Sequence, residues 1–207
     1  MGTTGTREQI LEVACSILER DGESKFRLSS VARKVKIREA SIYHYFASRG
    51  ALLEQAQLKR YLDSYVDAVE PLRSALYFSN EVEQWEAALR KVLEESFSVQ
   101  GISRRSTRSN VLGIAQTNRR IREQLVVIHR DLFNRMADIV REAQAREWIN
   151  PRLPTEVVAP MVLGVIAGRS LVELDSDLTF LESWDDVAVQ LILDFLSPSH
   201  TPRTSRW

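Results

Sequence analysis

Tyr43 and His44 stand side by side in the stretch IREASIYHYF, residues 37–46. A phenol hydroxyl can bond a phosphate oxygen, and an imidazole can donate or accept at a base edge. Ser41 can do either, and Ala40 is small enough to let a helix approach a groove. At about 100° per residue on an α-helix, Ile42, Tyr45 and Phe46 share one arc. Ala40, Tyr43 and His44 point away from it. The first set suits a core and the second a partner. Arg27, Lys36, Arg38 and Arg49 surround the run, with Arg33 and Lys34 just before it. Arg49 opens a helix, where its charge opposes the helix dipole, and a phosphate neighbour would account for it. The same wheel fits a capping helix in any bundle with a solvated charged face, so spacing and charge leave both readings open.

Such a short helix must be held by others. Isolated helices of two turns are marginal in water. The pattern places a helix over about 6–21, ending at Gly22, a second over 28–35 and a third over 38–45. A fourth is capped by Ser48 and runs to about 69, where Pro71 interrupts or kinks the chain. Three short helices around a small core, the third presenting an outer face, is helix-turn-helix geometry. Apolar residues recur at three- and four-residue steps through the remainder, and no segment alternates as a strand does. Further helices are expected from an Asn80 cap to about 98, over 105–116 and 119–146, from a Thr155 cap to Glu173, and from a Ser183 cap through WDDVAVQLILDF. The fold class is therefore all-α, with about nine helices. The tail from residue 197 to 207 has no pattern and should be mobile unless a contact pins it.

The 207 residues carry zero formal net charge, unevenly spread. The first 60 hold eleven Lys and Arg against seven Asp and Glu, a net +4 that the rest balances. A basic front on an acidic body points to a polyanion at one end. Polar residues follow Met1, and the longest apolar stretch, residues 157–168, is short for a membrane span and contains Pro160. A cytoplasmic protein without membrane contact is expected. The one cysteine, Cys15, reads as a buried thiol. There is no Gly-x-Ser-x-Gly, phosphate-binding loop, His-Glu-x-x-His or Cys-x-x-Cys, and His129-Arg130-Asp131 lacks the other parts of a kinase. No enzyme, metal site or cofactor is expected.

From Arg7 to Ala56 the sequence resembles the TetR/AcrR family of bacterial transcriptional regulators. The likeness rests on Gly22, Val31-Ala32, Ile37, the run Ile42-Tyr43-His44-Tyr45-Phe46, and Ala51-Leu52-Leu53. Arg27 stands where the family usually caps with Thr or Ser. Lys36 replaces the usual turn glycine, and Arg38 and Glu39 replace a Ser and an often basic residue. A left-handed lysine costs roughly 1 kcal/mol, so another turn geometry is expected at Lys36. The resemblance implies a DNA-binding domain over 1–50, with Arg27, Lys36, Arg38, Ala40, Ser41, Tyr43, His44 and Arg49 as its contacts. It implies an effector-binding and dimerisation domain over 51–196, reached through a long fourth helix. The protein would be a homodimeric repressor released from a palindromic DNA operator by a small molecule. A helical interaction module of helix-turn-helix shape, with no role in transcription, is the alternative.

The family's dimer interface lies on the last two helices, here through Val158, Val162, Val165, Trp184, Val187, Leu191 and Phe195. These helices are apolar on more than one side, which supports an interface, although two central core helices would look similar. The family's effector pocket draws on Trp85, Leu89, Phe97, Leu112, Gln116 and His129. Phe133, Met136, Met161, Val165 and Arg169 complete it. Most of these would serve equally as core, and His129 suits a satisfied core histidine. Arg169, inside an apolar helix, must find a partner: Glu173, an Asp across the dimer, or an acidic ligand. Residues 103–109, SRRSTRS, read as a basic, solvated edge.

Overall fold

The computed structural model describes residues 3–175 and 179–199. Among these it contains nine α-helices, two short 3₁₀ turns and no strand. The helices are α1 Thr3–Asp21, α2 Leu28–Val35, α3 Glu39–Ile42, α4 Arg49–Phe78 and α5 Val82–Phe97. They continue with α6 Ile102–Thr117, α7 Arg119–Ala145, α8 Thr155–Val172 and α9 Leu181–Leu196. Most of the tail, from residue 200, lies outside the described residues. The chain forms two compact units. One runs through Asp63 and takes in Asn110–Leu125, and the other holds Ser64–Ser109 and the chain from Val126 onward. The units divide inside α4 at Asp63–Ser64, not at residue 50, because the first turns of α4 are part of the first core.

That core is built from Ile10, Ala14 and Ile17 of α1, Phe26, Val31 of α2, and Ile42, Phe46 and Leu52 beyond it, all 2% exposed or less. Ile42 and Phe46 each contribute about 1.5–3 kcal/mol by burial, which so short a helix needs. Ser48 does cap α4: its Oγ accepts the Ala51 N–H at 3.0 Å. Lys59 closes the opposite side, its Nζ 3.1 Å from Glu12 and 2.9 Å from Asp63.

In the second unit, Trp85, Leu93 and Phe97 give α5 a buried face, and Phe97 meets Trp184 of α9 edge-on, with ring centroids 5.6 Å apart. Pro71 does not break α4, which continues through it to Phe78. Val69 and Leu76 on either side of it remain buried, and that packing offsets the lost hydrogen bond and the carbonyl clash a proline costs within a helix. The expected caps Asn80 and Ser183 do not sit at helix starts: Glu81 precedes α5 and Phe180 precedes α9. Helix α8 is, by length and composition, long and apolar enough to cross a membrane, which the run 157–168 alone did not suggest. Only 22% of it is buried within the chain.

Candidate nucleic-acid interface and apolar cavity

The two helices of the DNA-binding motif meet at Lys36. Its backbone is left-handed, φ 61° and ψ 41°, so the expectation of another geometry is corrected. The helix end repays the strain. The N–H of Lys36 reaches the Arg33 carbonyl at 3.3 Å and that of Ile37 reaches Ala32 at 3.0 Å. This is the paired closure that glycine usually serves, and Ile37 seals it by packing on the core. The Lys36 side chain is left exposed beside α3.

Helix α3 is shorter than the 38–45 expected. After Ile42 the chain tightens into i→i+3 bonds, Tyr43 to Ala40 and His44 to Ser41 at 3.3 Å and Tyr45 to Ile42 at 2.9 Å. The outward set survives this tightening. Ala40 and His44 are exposed, Tyr43 is 52% exposed, and Ser41 and Tyr45 are half-buried. Ile42 and Phe46 face the core, as the wheel indicated. Arg27, Arg33, Lys34, Lys36, Arg38 and Arg49 are all exposed. Between residues 24 and 53 there are seven Lys and Arg and one acid, Glu39. Glu39 occupies the first turn of α3, where the helix dipole favours a carboxylate.

Arg27 and Arg49 have structural work that the sequence did not show. Arg27 donates to the carbonyls of Ser24 and Phe26 at 2.9 and 3.0 Å. Arg49 donates to Phe26 at 3.1 Å and lies over its ring at 5.5 Å. The carbonyl, not only a phosphate, accounts for a cation at the start of α4. A guanidinium has five N–H donors, so these bonds leave capacity for an anion.

The second unit has a partly open cavity of about 70 Å³. Val69 and Leu72 of α4, Trp85 and Leu89 of α5, and Met136 of α7 line one part of it. Val158 and Val162 of α8 line another. Of the expected pocket residues, Trp85, Leu89 and Met136 line this cavity. Phe97 is buried elsewhere in the core, and Leu112 and Gln116 belong to the first unit. His129 is half-buried against Phe133, ring centroids 5.3 Å apart, and neither lines the cavity. Burial pushes the His129 imidazole below its usual pKa.

On α8 the expected faces are exchanged. Val158 and Val162, expected at the dimer interface, face the cavity, while Met161, expected in the pocket, is 51% exposed. Neighbouring helical positions differ by about 100°, so one step in register moves a residue from one face to the other. Val187 and Leu191 of α9 are exposed, and Val165, Trp184 and Phe195 are half-buried.

Arg169 finds its partners within the chain. Its Nε lies 2.5 Å from Asp185 Oδ1 and its Nη1 3.7 Å from Glu173 Oε2. Glu173 also accepts from Arg105, which is 2% exposed. Arg105 further donates to the carbonyls of Ser96 and Ser98. A Cβ on Gly101 would stand 2.5 Å from Arg105 Nη1, so the glycine admits the guanidinium. The sequence reading had placed Arg105 on a solvated edge, and periodicity alone carried no sign of its burial.

A core-held helix pair with an exposed, basic outer face is the arrangement of a helix-turn-helix. Residues 10–56 match the model of the bacterial regulatory proteins of the tetR family. Over 205 residues the chain is 21% identical to the nucleoid occlusion factor SlmA of Vibrio campbellii, covering 91% of this chain and 96% of that protein. A transcriptional regulator from Saccharomonospora viridis in complex with choline superposes with TM-score 0.66 and 16% identity, covering 92% and 96% of the two chains. A TetR-family regulator from Rhodococcus sp. superposes with TM-score 0.68 and 18% identity, covering 94% and 100%. Residues 10–56 thus carry the helix-turn-helix domain of the tetR family, and the chain as a whole has the fold of that family's solved regulators.

Proposed function

We propose that the protein is a homodimeric, cytoplasmic transcriptional repressor that leaves a palindromic operator when a small molecule enters the cavity of its second unit. The observation that carries the DNA-binding part is the α3 segment. Ile42 and Phe46 anchor it, and Ala40, Tyr43 and His44 are held outward among the exposed cations. Arg38 and Lys36 flank that face, with Arg27, Ser41 and Arg49 at its edge. Dimerisation is supported by α8 and α9, which leave Val157, Met161, Val187 and Leu191 exposed on apolar helices. A two-fold dimer sets two reading helices on paired half-sites.

Selection of bound duplexes from a random pool should return a palindrome. Tyr43→Ala with His44→Ala should weaken binding to it by about tenfold or more, with the helical circular dichroism unchanged. Unchanged affinity would show that another face reads DNA.

The similarity to nucleoid occlusion factors over nine-tenths of the chain favours a second reading, a DNA-bound factor that acts at the nucleoid. Mapping of bound sites along the chromosome separates the two. Occupancy at one or a few promoters supports the repressor, and sites spread over the chromosome support the other role. A helical module that does not read DNA would show no salt-dependent binding to either set.

A further inference from the structure

The identity of the effector is constrained by where the charges of the second unit lie. Arg169 was the one cation positioned by sequence to anchor an acidic ligand. Asp185 and Glu173 balance its charge, and although its buried Nη1 has no hydrogen-bond partner among the described residues, it does not line the cavity. His129 is also outside. Every side chain around the cavity is apolar, from Val69 and Leu72 at one helix to Ile149 and Leu196 at the others. We propose that the cavity takes an uncharged, hydrocarbon-rich molecule, and that neither an organic acid nor an amine is its ligand. The proposal rests on the ligand-responsive reading given above and names the ligand class of that same site.

Apolar cavities of this kind hold no ordered water and accept small apolar molecules. A space of about 70 Å³ is about half of the roughly 150 Å³ in which an engineered apolar cavity holds benzene, so a ring enters only as a wall side chain gives way. Met136, unbranched and adaptable, is the wall residue best able to yield to something larger. Trp85, stacked on Trp148 with ring centroids 6.5 Å apart, is a fixed wall by contrast. An ionised ligand would have to shed its water with no partner inside.

Three probes of one size isolate the charge: toluene, benzoate and benzylammonium. The full-length protein is labelled at its methionine methyl groups. Met136 lines the cavity and Met161 lies outside it on α8, so the second is an internal control. Toluene is expected to shift the Met136 methyl resonance, leave Met161 in place and raise the melting temperature by mass action. Benzoate and benzylammonium are expected to bind at least about tenfold more weakly. Ala159→Leu, which fills the cavity from α8, should abolish the toluene shift. Equal or stronger response to either ion overturns the proposal. So does no response of Met136 to any of the three, or an undiminished toluene shift in folded Ala159→Leu. Should that variant not fold, the Met136 and Met161 shifts of the wild type decide alone. Release of the selected operator is measured separately. Toluene that moves Met136 without loosening the DNA complex upholds the cavity chemistry and removes the ligand-responsive reading.

Discussion

Asp185→Asn tests the buried ion network most directly. The substitution keeps the shape and removes the charge that lies 2.5 Å from Arg169 Nε. Removing one partner of a buried pair costs about 3–5 kcal/mol because the other charge is left without compensation. Two features reduce that figure here. The Asp185 side chain is 26% exposed, so water can replace part of its field. Glu173 remains 3.7 Å from Arg169, but it is shared with Arg105. A loss of about 2–3 kcal/mol is therefore expected, or a melting temperature lower by about 5–10 °C for a chain of this length. Urea titrations read by tryptophan fluorescence, at one fixed protein concentration, give the value. Trp184 adjoins the pair and packs on Phe97, so it reports locally. The double variant Arg169→Leu with Asp185→Leu removes both charges and should lose less than Asp185→Asn alone. A loss below about 0.5 kcal/mol for Asp185→Asn, or a double variant less stable than the single one, would refute the reasoning that Arg169 depends on an internal acid.

Lys36→Gly relieves the left-handed backbone and should stabilise the protein by about 0.5–1 kcal/mol in urea titration, while operator affinity falls and the salt slope shrinks by about one. Ile42→Ala should cost about 2–4 kcal/mol and abolish operator binding in gel-shift assays at 37 °C. Burial raises the Cys15 thiol to about 12, so at pH 8 iodoacetamide should label the unfolded chain and leave the folded one nearly untouched. His129 has its pKa lowered by burial, so the unfolded chain binds the proton more readily. Its stability contribution is full above the ordinary histidine pKa of about 6.5 and is lost as pH falls below it; melting temperatures from pH 7.5 to 5 should fall less steeply in His129→Gln.

The DNA-binding motif was legible because each of its signals is local. The wheel over residues 38–46 separates core from exposed residues even though α3 is only four residues long and the rest is a tightened turn. Ile42 and Phe46 would face inward at either pitch, since both are held by the same small core. The expected bounds of α2, residues 28–35, match the helix observed. The left-handed backbone at Lys36 is not legible from residue type, because two backbone bonds and the Ile37 contact offset its penalty. Those bonds depend on how α2 meets the core, and residue type alone does not carry that.

The second unit was less legible for a different reason. Helix α8 is apolar nearly all round, so its sequence does not mark which side is inward. Val158 and Val162 are chemically equivalent to Val157 and Met161, and the choice between them is made by α5 and α9, which are distant in sequence. The charges follow the same logic. Arg105 is one of three arginines in a polar run, and only Gly101 and the Ser96 carbonyl, brought close by the turn before α6, give it a buried seat. Once Arg105 and Arg169 are both held by Glu173, with Asp185 completing the set, these two arginines are committed to internal acids. An effector that needed a cation would have to compete with those acids at a site the cavity does not reach. An apolar effector meets no such competition, and the wall it must displace is Met136.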